Sequence, residues 1–459
     1  MSKQPLVIIG AGLCGSVLAM RLRNAFDVIV VEQSQRRTPL FDDIDCPTGG
    51  VTTTINRGAG LGGTTNYWHN ALIELDQDDL IGSGIDSDVL APHYARAWAL
   101  FLSGQEIGKT AAVGASNSAA TPGQGQVAHM VVPQARVNLW QQADRAFPGN
   151  PVQVVYGHAE RIVPGRPGQT GCVEVRTAKG IERITSGRFI VSAGGLATPV
   201  VLAASTGKTD ATFGGYHDHP MAYVAKVRLR PGSTLKRISC QETGSASVRT
   251  GFVYRSRGVK AVFYLRPALS LDLKSITGDA RYLLSDLRND PFSPRKILQL
   301  LMNLEALREA ILFKSKAGFL GDYYSVLMLG EQEPRPDRGV TVASGRKPAL
   351  NWEVTDTENA AYHDCFEQFQ SDMTAEIIDR HVVPTADWDY RTAAHHSGTA
   401  SDFLDAAARG LGFFEAKGLP GVFVCDGSVL RRGGVANSGL TLVALAHLFA
   451  DELLSATAG

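Results

Sequence analysis

The first 32 residues constrain the fold most. A short apolar run at 6–9, partly β-branched, leads directly into G-A-G-L-C-G. Such a run reads as a buried parallel strand. Gly10, Gly12 and Gly15 stand in the GxGxxG pattern. Gly10 allows the tight turn, Gly12 lets backbone approach a pyrophosphate, and Gly15 lets a helix pack close to the sheet. A helix is predicted over 13–24, and its free N-terminal N–H groups, including that of Leu13, favour a diphosphate. D-V-I-V-V-E then predicts a second strand that ends in Glu32. A carboxylate about 20 residues beyond the glycines accepts from a ribose diol and repels a 2′-phosphate. The order strand, glycine turn, helix, strand, acid predicts a Rossmann-like α/β core that binds a dinucleotide.

Composition narrows the class. The 459 residues suffice for a cofactor domain plus a second domain. Lys and Arg together number 45, as do Asp and Glu, so no basic surplus points to nucleic acid as a partner. The six cysteines, at 14, 46, 172, 240, 365 and 425, form no CxxC pair. That pattern suits a reducing compartment and gives no zinc or iron–sulfur site. The chain enters its first strand without the layout of a signal peptide, and no uninterrupted apolar run reaches membrane-spanning length. A cytoplasmic protein without a transmembrane segment is expected, with no metal.

A second glycine-rich stretch, G-A-G-L-G-G-T-T-N-Y-W at 58–68, is too rich in glycine for an ordinary helix. Gly62 and Gly63 permit close backbone approach to a ligand. Thr64 and Asn66 carry groups that can bond to it. Two glycine loops suit a long extended dinucleotide, FAD rather than NAD. The last 66 residues hold A-H-H-S-G-T at 394–399. They also hold V-C-D-G-S at 424–428, a strand running into a turn, and an apolar helix that begins after N-S-G-L-T at 437–441. Neighbours in an extended stretch point opposite ways, so one of His395 and His396 is expected at the ligand, and His395 is preferred. H-D-H-P at 217–220 offers two alternating histidines with no clear third ligand, which disfavours a metal. His447 lies inside the last helix and is expected to be satisfied by packing. Strands are predicted from Tyr223, Val248 and Gly258. A long amphipathic helix is predicted over 295–314; it packs in the second domain, walls an apolar channel or rests on a membrane surface.

The chain resembles the glucose–methanol–choline oxidoreductases. The resemblance rests on G-A-G-L-C-G, on R-G-A-G-L-G-G-T-T-N-Y-W at 57–68, and on V-S-A-G-G-L-A-T-P at 191–199 with G-G-Y-H-D-H-P at 214–220. It rests further on A-H-H-S-G-T and on V-C-D-G-S with N-S-G-L-T. Two positions depart from the family pattern: Ala400-Ser401 stands where Arg-Met is usual, and Ser438 follows Asn437 where Pro is usual. Both leave the implied pair intact.

The resemblance implies a discontinuous FAD-binding domain (1–80, 150–220 and 390–459), a connecting segment (81–149) and an interleaved α+β substrate domain (221–389) whose antiparallel sheet covers the flavin. It implies that His395 takes the proton of a CH–OH donor while hydride passes to flavin N5, and that Asn437 brackets the same oxygen. Ala193, Val155, Asp426, Gly427, Ser438 and Thr441 join the glycine-loop residues as cofactor contacts. The N-terminus of the last helix would stabilise negative charge on the reduced pyrimidine ring. Tyr67 stands near where covalent members place a histidine, with His69 two positions on, so noncovalent FAD is expected. The partners implied are a small alcohol-type substrate and O2 or another electron acceptor. The family also includes cyanohydrin lyases and light-driven decarboxylases, which are the alternative activities.

Overall fold

The computed structural model describes residues 3–40, 43–46, 57–122, 125–165, 169–268, 294–302 and 321–458. A five-stranded parallel sheet runs in the order Val422–Val424, Phe189–Val191, Pro5–Ile9, Asp27–Glu32 and Gln153–Tyr156. Ile9 pairs with Val31 and Val191, and Val191 pairs with Val424. The strands therefore end together. Gly10, Glu32, Gly157, Ser192 and Asp426 all emerge at the carboxyl edge, where open α/β sheets bind their ligands.

The helix Leu13–Leu22 buries Cys14 to Met20 and Leu22, so it is apolar all round rather than amphipathic. It ends two residues short of the expected limit. Arg23 caps it, turning its guanidinium to Asp144. The closing helix Gly439–Ala458 lies against it, with the Cys14 thiol donating to the Leu442 carbonyl over 3.4 Å. Leu440, Val443, Ala444, Leu445, Ala446, Phe449 and Leu453 are all buried there. Each large side chain of this kind contributes roughly 1.5–3 kcal/mol by burial. The stretch Gly439–Thr457 has the length and apolarity to cross a membrane, yet 56% of its most apolar window is buried in the protein core, which accounts for that composition.

The second sheet is antiparallel, in the order Gln241–Glu242, Ala246–Ser256, Val259–Pro267, Tyr323–Gly330, Pro220–Leu229 and Ile377–Val382. Arg391–Thr392 adds to Pro220–Leu229, and Gln126–Pro133 adds to Ala246–Ser256. Gln126–Pro133 lies in the segment expected to connect the domains by helices and extended chain. The helix Asp356–Asp372 packs Phe366 and Phe369 on Phe263, and a Thr355–Glu358 capping box starts it. A separate apolar group on the sheet holds Met130, Tyr223, Val262, Tyr264, Leu327 and Leu329 with Val435. Ala71 and Met221, packed against that group, line the cleft between the two sheets. The antiparallel sheet thus roofs the cleft. Of the helix predicted over 295–314, Pro294–Met302 is helical with Ile297, Leu298, Leu301 and Met302 exposed. The remainder lies outside the described residues.

Candidate active site

The cleft encloses about 390 Å³, within the range of small-molecule and cofactor sites. Its dinucleotide end is built from the two glycine loops. A Cβ on Gly15 would lie 2.0 Å from the Gly10 carbonyl, so helix and turn touch there as the motif requires. A Cβ on Gly12 would meet nothing within 4 Å, because that position faces the open cleft at the mouth of the helix. No side chain caps this helix and no acidic residue lies in its first turn, so its N–H groups are available to an anion. Glu32 is buried and accepts from Ala11 N at 2.9 Å and from Gly60 N at 2.8 Å. It therefore ties the two glycine loops together while lining the cleft.

Leu13, Gly63, Thr64, Ala193, Asp426, Gly427 and Ser438 also line the cleft. Asp426 is fully engaged by protein: it accepts from Gly194 N at 2.8 Å, Thr198 Oγ1 at 2.5 Å and Ser428 N at 2.8 Å. Burial raises its pKa against those hydrogen bonds. Five expected contacts are not part of the lining. Gly15 packs behind the turn. Gly62 abuts Asn138. The Asn66 amide donates to Leu61 and Gly63 carbonyls within its own loop. Val155 sits inside the parallel sheet beside Val31, and Thr441 is buried against the Tyr94 hydroxyl at 2.7 Å. Neither Tyr323 nor Tyr324 reaches the cleft. Tyr323 lies under the Arg228 guanidinium and Tyr324 is in the core.

The same cleft also holds titratable groups. His395, His396 and Asn437 line it, with Tyr67, Trp68, His69, Met221 and Thr392. The H-D-H-P stretch and the A-H-H-S-G-T stretch are stitched together. His217 N donates to the Ser397 carbonyl, and Ser397 N donates back to His217, each at 3.2 Å. Asp218 Oδ1 accepts from His395 N at 2.9 Å and from His219 N at 2.7 Å, while its Oδ2 takes the Thr392 hydroxyl. Ala394 has φ of 61°, which breaks the extended course before the two histidines. Both rings consequently border the cleft, where an extended strand would have sent one away.

The rings are held differently. His395 Nδ1 lies 2.9 Å from His219 Nδ1, and the two rings meet edge to face. His396 Nδ1 lies 2.9 Å from the Tyr216 hydroxyl, and its Nε2 is buried without a hydrogen-bond partner. Asn437 Oδ1 is likewise buried and unpartnered. Buried polar atoms without partners are costly, about 1–3 kcal/mol each. Two of them on one cleft wall fit a bound group that supplies donors. Together with the open Gly12 and the uncapped helix, they make the cleft suitable for FAD. His447 lies outside the lining, with Nδ1 3.2 Å from Arg21 and with Nε2 also buried and unpartnered.

Burial is the main cause that lowers each histidine here. His217, His395 and His396 are pushed down to about 4, and His219 to about 3. An unfolded histidine titrates near 6.5. Between those values the unfolded chain binds protons that the folded chain refuses. Their stabilising contribution is thus complete above about pH 6.5 and is lost as pH falls toward about 4, at about 1.4 kcal/mol per unit per group. The thermal midpoint is expected to drop steeply across that window. A flat profile from pH 6.5 to 4 would show that these rings charge freely in the fold.

No known family model matches the chain, and no curated protein does. Among solved structures it matches pyridoxine 4-oxidase from Mesorbium loti, with a TM-score of 0.64 and 14% identity over 98% of this chain and 99% of that one. The chain thus shares the fold of that structure, a mixed α/β architecture with a Rossmann-like domain. Sequence reading passed over Tyr216 and Asp218 as site residues and ranked His396 and His219 low. The signal was present in the repeated histidines of H-D-H-P and A-H-H-S, but 176 residues separate His219 from His395 and only the fold pairs them.

Proposed function

We propose that the protein is an FAD-dependent oxidoreductase of a small CH–OH donor, with FAD held noncovalently. The observation that carries this reading is one cleft lined both by His395 and Asn437 and by an open glycine turn at a helix N-terminus. Bound there, FAD would supply the hydride acceptor. The Gly10–Gly12 turn and the Leu13–Leu22 N-terminus would hold its diphosphate, and Gly63 and Thr64 would flank it. His395, neutral at working pH, removes the hydroxyl proton. Asn437 cannot act as a base; its amide N–H donates to the oxygen as negative charge develops, and its Oδ1 accepts from the incoming hydroxyl. Two groups on one oxygen also orient the carbinol C–H. The electron acceptor is O2 or another oxidant.

The test is anaerobic stopped-flow spectroscopy of the FAD-loaded protein against sugars, amino sugars, sterols, pyridine alcohols, and aryl and aliphatic alcohols. Bleaching of the oxidised flavin band by one class is expected, and readmitted O2 then separates oxidase from dehydrogenase. Loaded protein that no donor class reduces would overturn alcohol oxidation and favour lyase or light-driven chemistry.

A further inference from the structure

We propose that the antiparallel sheet selects an acidic donor: a carboxylate or phosphate group on the donor is bound by Arg249, Arg266 and the Tyr264 hydroxyl, next to the cleft. The inference rests on the proposed oxidation of a CH–OH donor and narrows the class of that donor. One face of Pro220–Leu229 leads from the candidate base toward these groups. His219, just before the strand, meets His395 at 2.9 Å, and Met221 lines the cleft. Tyr223 shares an apolar group with Met221, while Ala222 and Val224 belong to the core on the opposite face. Positions two apart on a strand lie about 7 Å from each other. Tyr223 pairs with Leu327, Leu327 with Tyr264, and Tyr264 with Gly251, so these four form one row across the sheet. A Cβ on Gly251 would come within 2.7 Å of the Tyr264 ring, so the glycine makes room for that ring.

The next row is positively charged. Arg249 stands two residues before Gly251, and Arg266 two residues after Tyr264; both are partly exposed. Arg249 pairs with Met130, a member of the same apolar group, and Arg266 Nη1 donates to the Tyr223 hydroxyl at 3.1 Å. Directly paired side chains share a face, so both guanidinium groups project from the face that bears Met221. Arg266 pairs with Ser325, and Ser325 with Lys226, which adds a third positive charge to the row. Like charges in one row repel each other, and an anion seated among them offsets that repulsion. A guanidinium fork matches two oxygens of a carboxylate or a phosphate.

Tyr264 supplies the independent sign of a ligand. Its hydroxyl is buried and has no hydrogen-bond partner. Burial keeps it protonated, well above the ordinary phenol range, while Arg249 and Arg266 pull it the other way. A protonated hydroxyl buried without an acceptor is costly. An oxyanion held by the two arginines provides that acceptor. A donor with its carbinol at His395 and its acid in this row is fixed at two points, with the apolar side chains of Met221 and Leu327 along its middle.

The test titrates the FAD-loaded full chain with octanoate, octyl phosphate and octanol by calorimetry. At least one of the acids is expected to bind about 10-fold or more tighter than the alcohol, the scale of a charged hydrogen bond. Which acid binds better identifies the group. Equal affinities for all three would overturn the proposal. Arg266→Gln and Arg249→Gln should each remove most of the preference. Tyr264→Phe should weaken the preferred acid by about 3-fold or more, leave octanol unchanged and raise the thermal midpoint of the ligand-free protein, because the orphaned hydroxyl is gone. Undiminished acid binding by a folded Tyr264→Phe protein would also count against the proposal. In turnover, ω-hydroxyoctanoate should show a lower KM than octanediol. Equal KM values would sink the acid preference and leave alcohol oxidation standing. Flavin that no donor reduces would sink the oxidation, and the titration would still decide whether the row binds an acid.

Discussion

Replacing His395 with alanine is expected to slow anaerobic flavin reduction by roughly 100-fold or more, while the amount of bound FAD stays near that of the native protein. The magnitude is the lower end of what a positioned base contributes. The dissociation between rate and loading follows from where His395 sits. The glycine turn, Glu32 and the Leu13–Leu22 N-terminus line the same cleft as His395 but are not among the partners that hold its ring or its backbone. Its ring is turned by His219 and its backbone by Asp218, neither of which belongs to the glycine loops. If His395 is the base, loss of the ring should remove proton transfer without dismantling the glycine loops. His396→Ala is the comparison. That ring borders the same cleft but is tied to Tyr216, so it should affect binding of the donor more than the limiting rate. Near-native reduction by the His395 variant, or a larger rate loss in the His396 variant, would reassign the base.

What could be read from the sequence follows the range of the interactions. The strand, glycine turn, helix and strand from Pro5 to Glu32 are consecutive, and each residue's role depends on neighbours a few positions away. They appear in the structure where the pattern put them. That His395 and Asn437 line one cleft could be anticipated because each sits in a recognisable local motif. The pairing of His219 with His395 could not, because it depends on two loops that meet through backbone bonds between His217 and Ser397. The rule that adjacent side chains diverge misled for His396, since the positive φ at Ala394 bends the chain just before it. Asn66 and Thr441 have the right chemistry for a ligand, but they spend it on their own loop and on Tyr94. Polar side chains beside a cofactor motif serve the loop as often as the ligand, and composition does not tell the two apart.

Lys260→Met is expected to destabilise the protein by about 3–5 kcal/mol, read as a lower urea midpoint, the range for stripping one partner from a buried ion pair. Lys260 is buried in the roofing sheet, where its ammonium meets Asp76 and both oxygens of Asp79 at 3.0 Å, and its backbone N–H donates to Glu331 at 2.9 Å. Arg432 completes the cluster on Glu331 at 2.7 Å and Asp79 at 3.4 Å. Methionine fills the volume but leaves Asp79 buried with one distant cation. Burial already raises Asp79 to about 7 against the pull of Lys260, so without the ammonium it rises further and the carboxyl neutralises. The penalty should accordingly shrink as pH is lowered from 8 to 5, where a protonated Asp79 needs no cation. Adding Asp79→Asn should recover part of the loss for the same reason. The cluster also bears on the site. Asp79 packs against the backbone of Gly434, and Ser83 bonds both the N–H and the carbonyl of Arg432, so these charges anchor the loop that runs on to Asn437. Hydrogen exchange in residues 430–438 should quicken in the single variant and slow again in the double. A Lys260→Met protein as stable as native at pH 8 would mean that the cluster is solvated rather than dry, and that the Asn437 loop is held by its apolar contacts through Val435 alone.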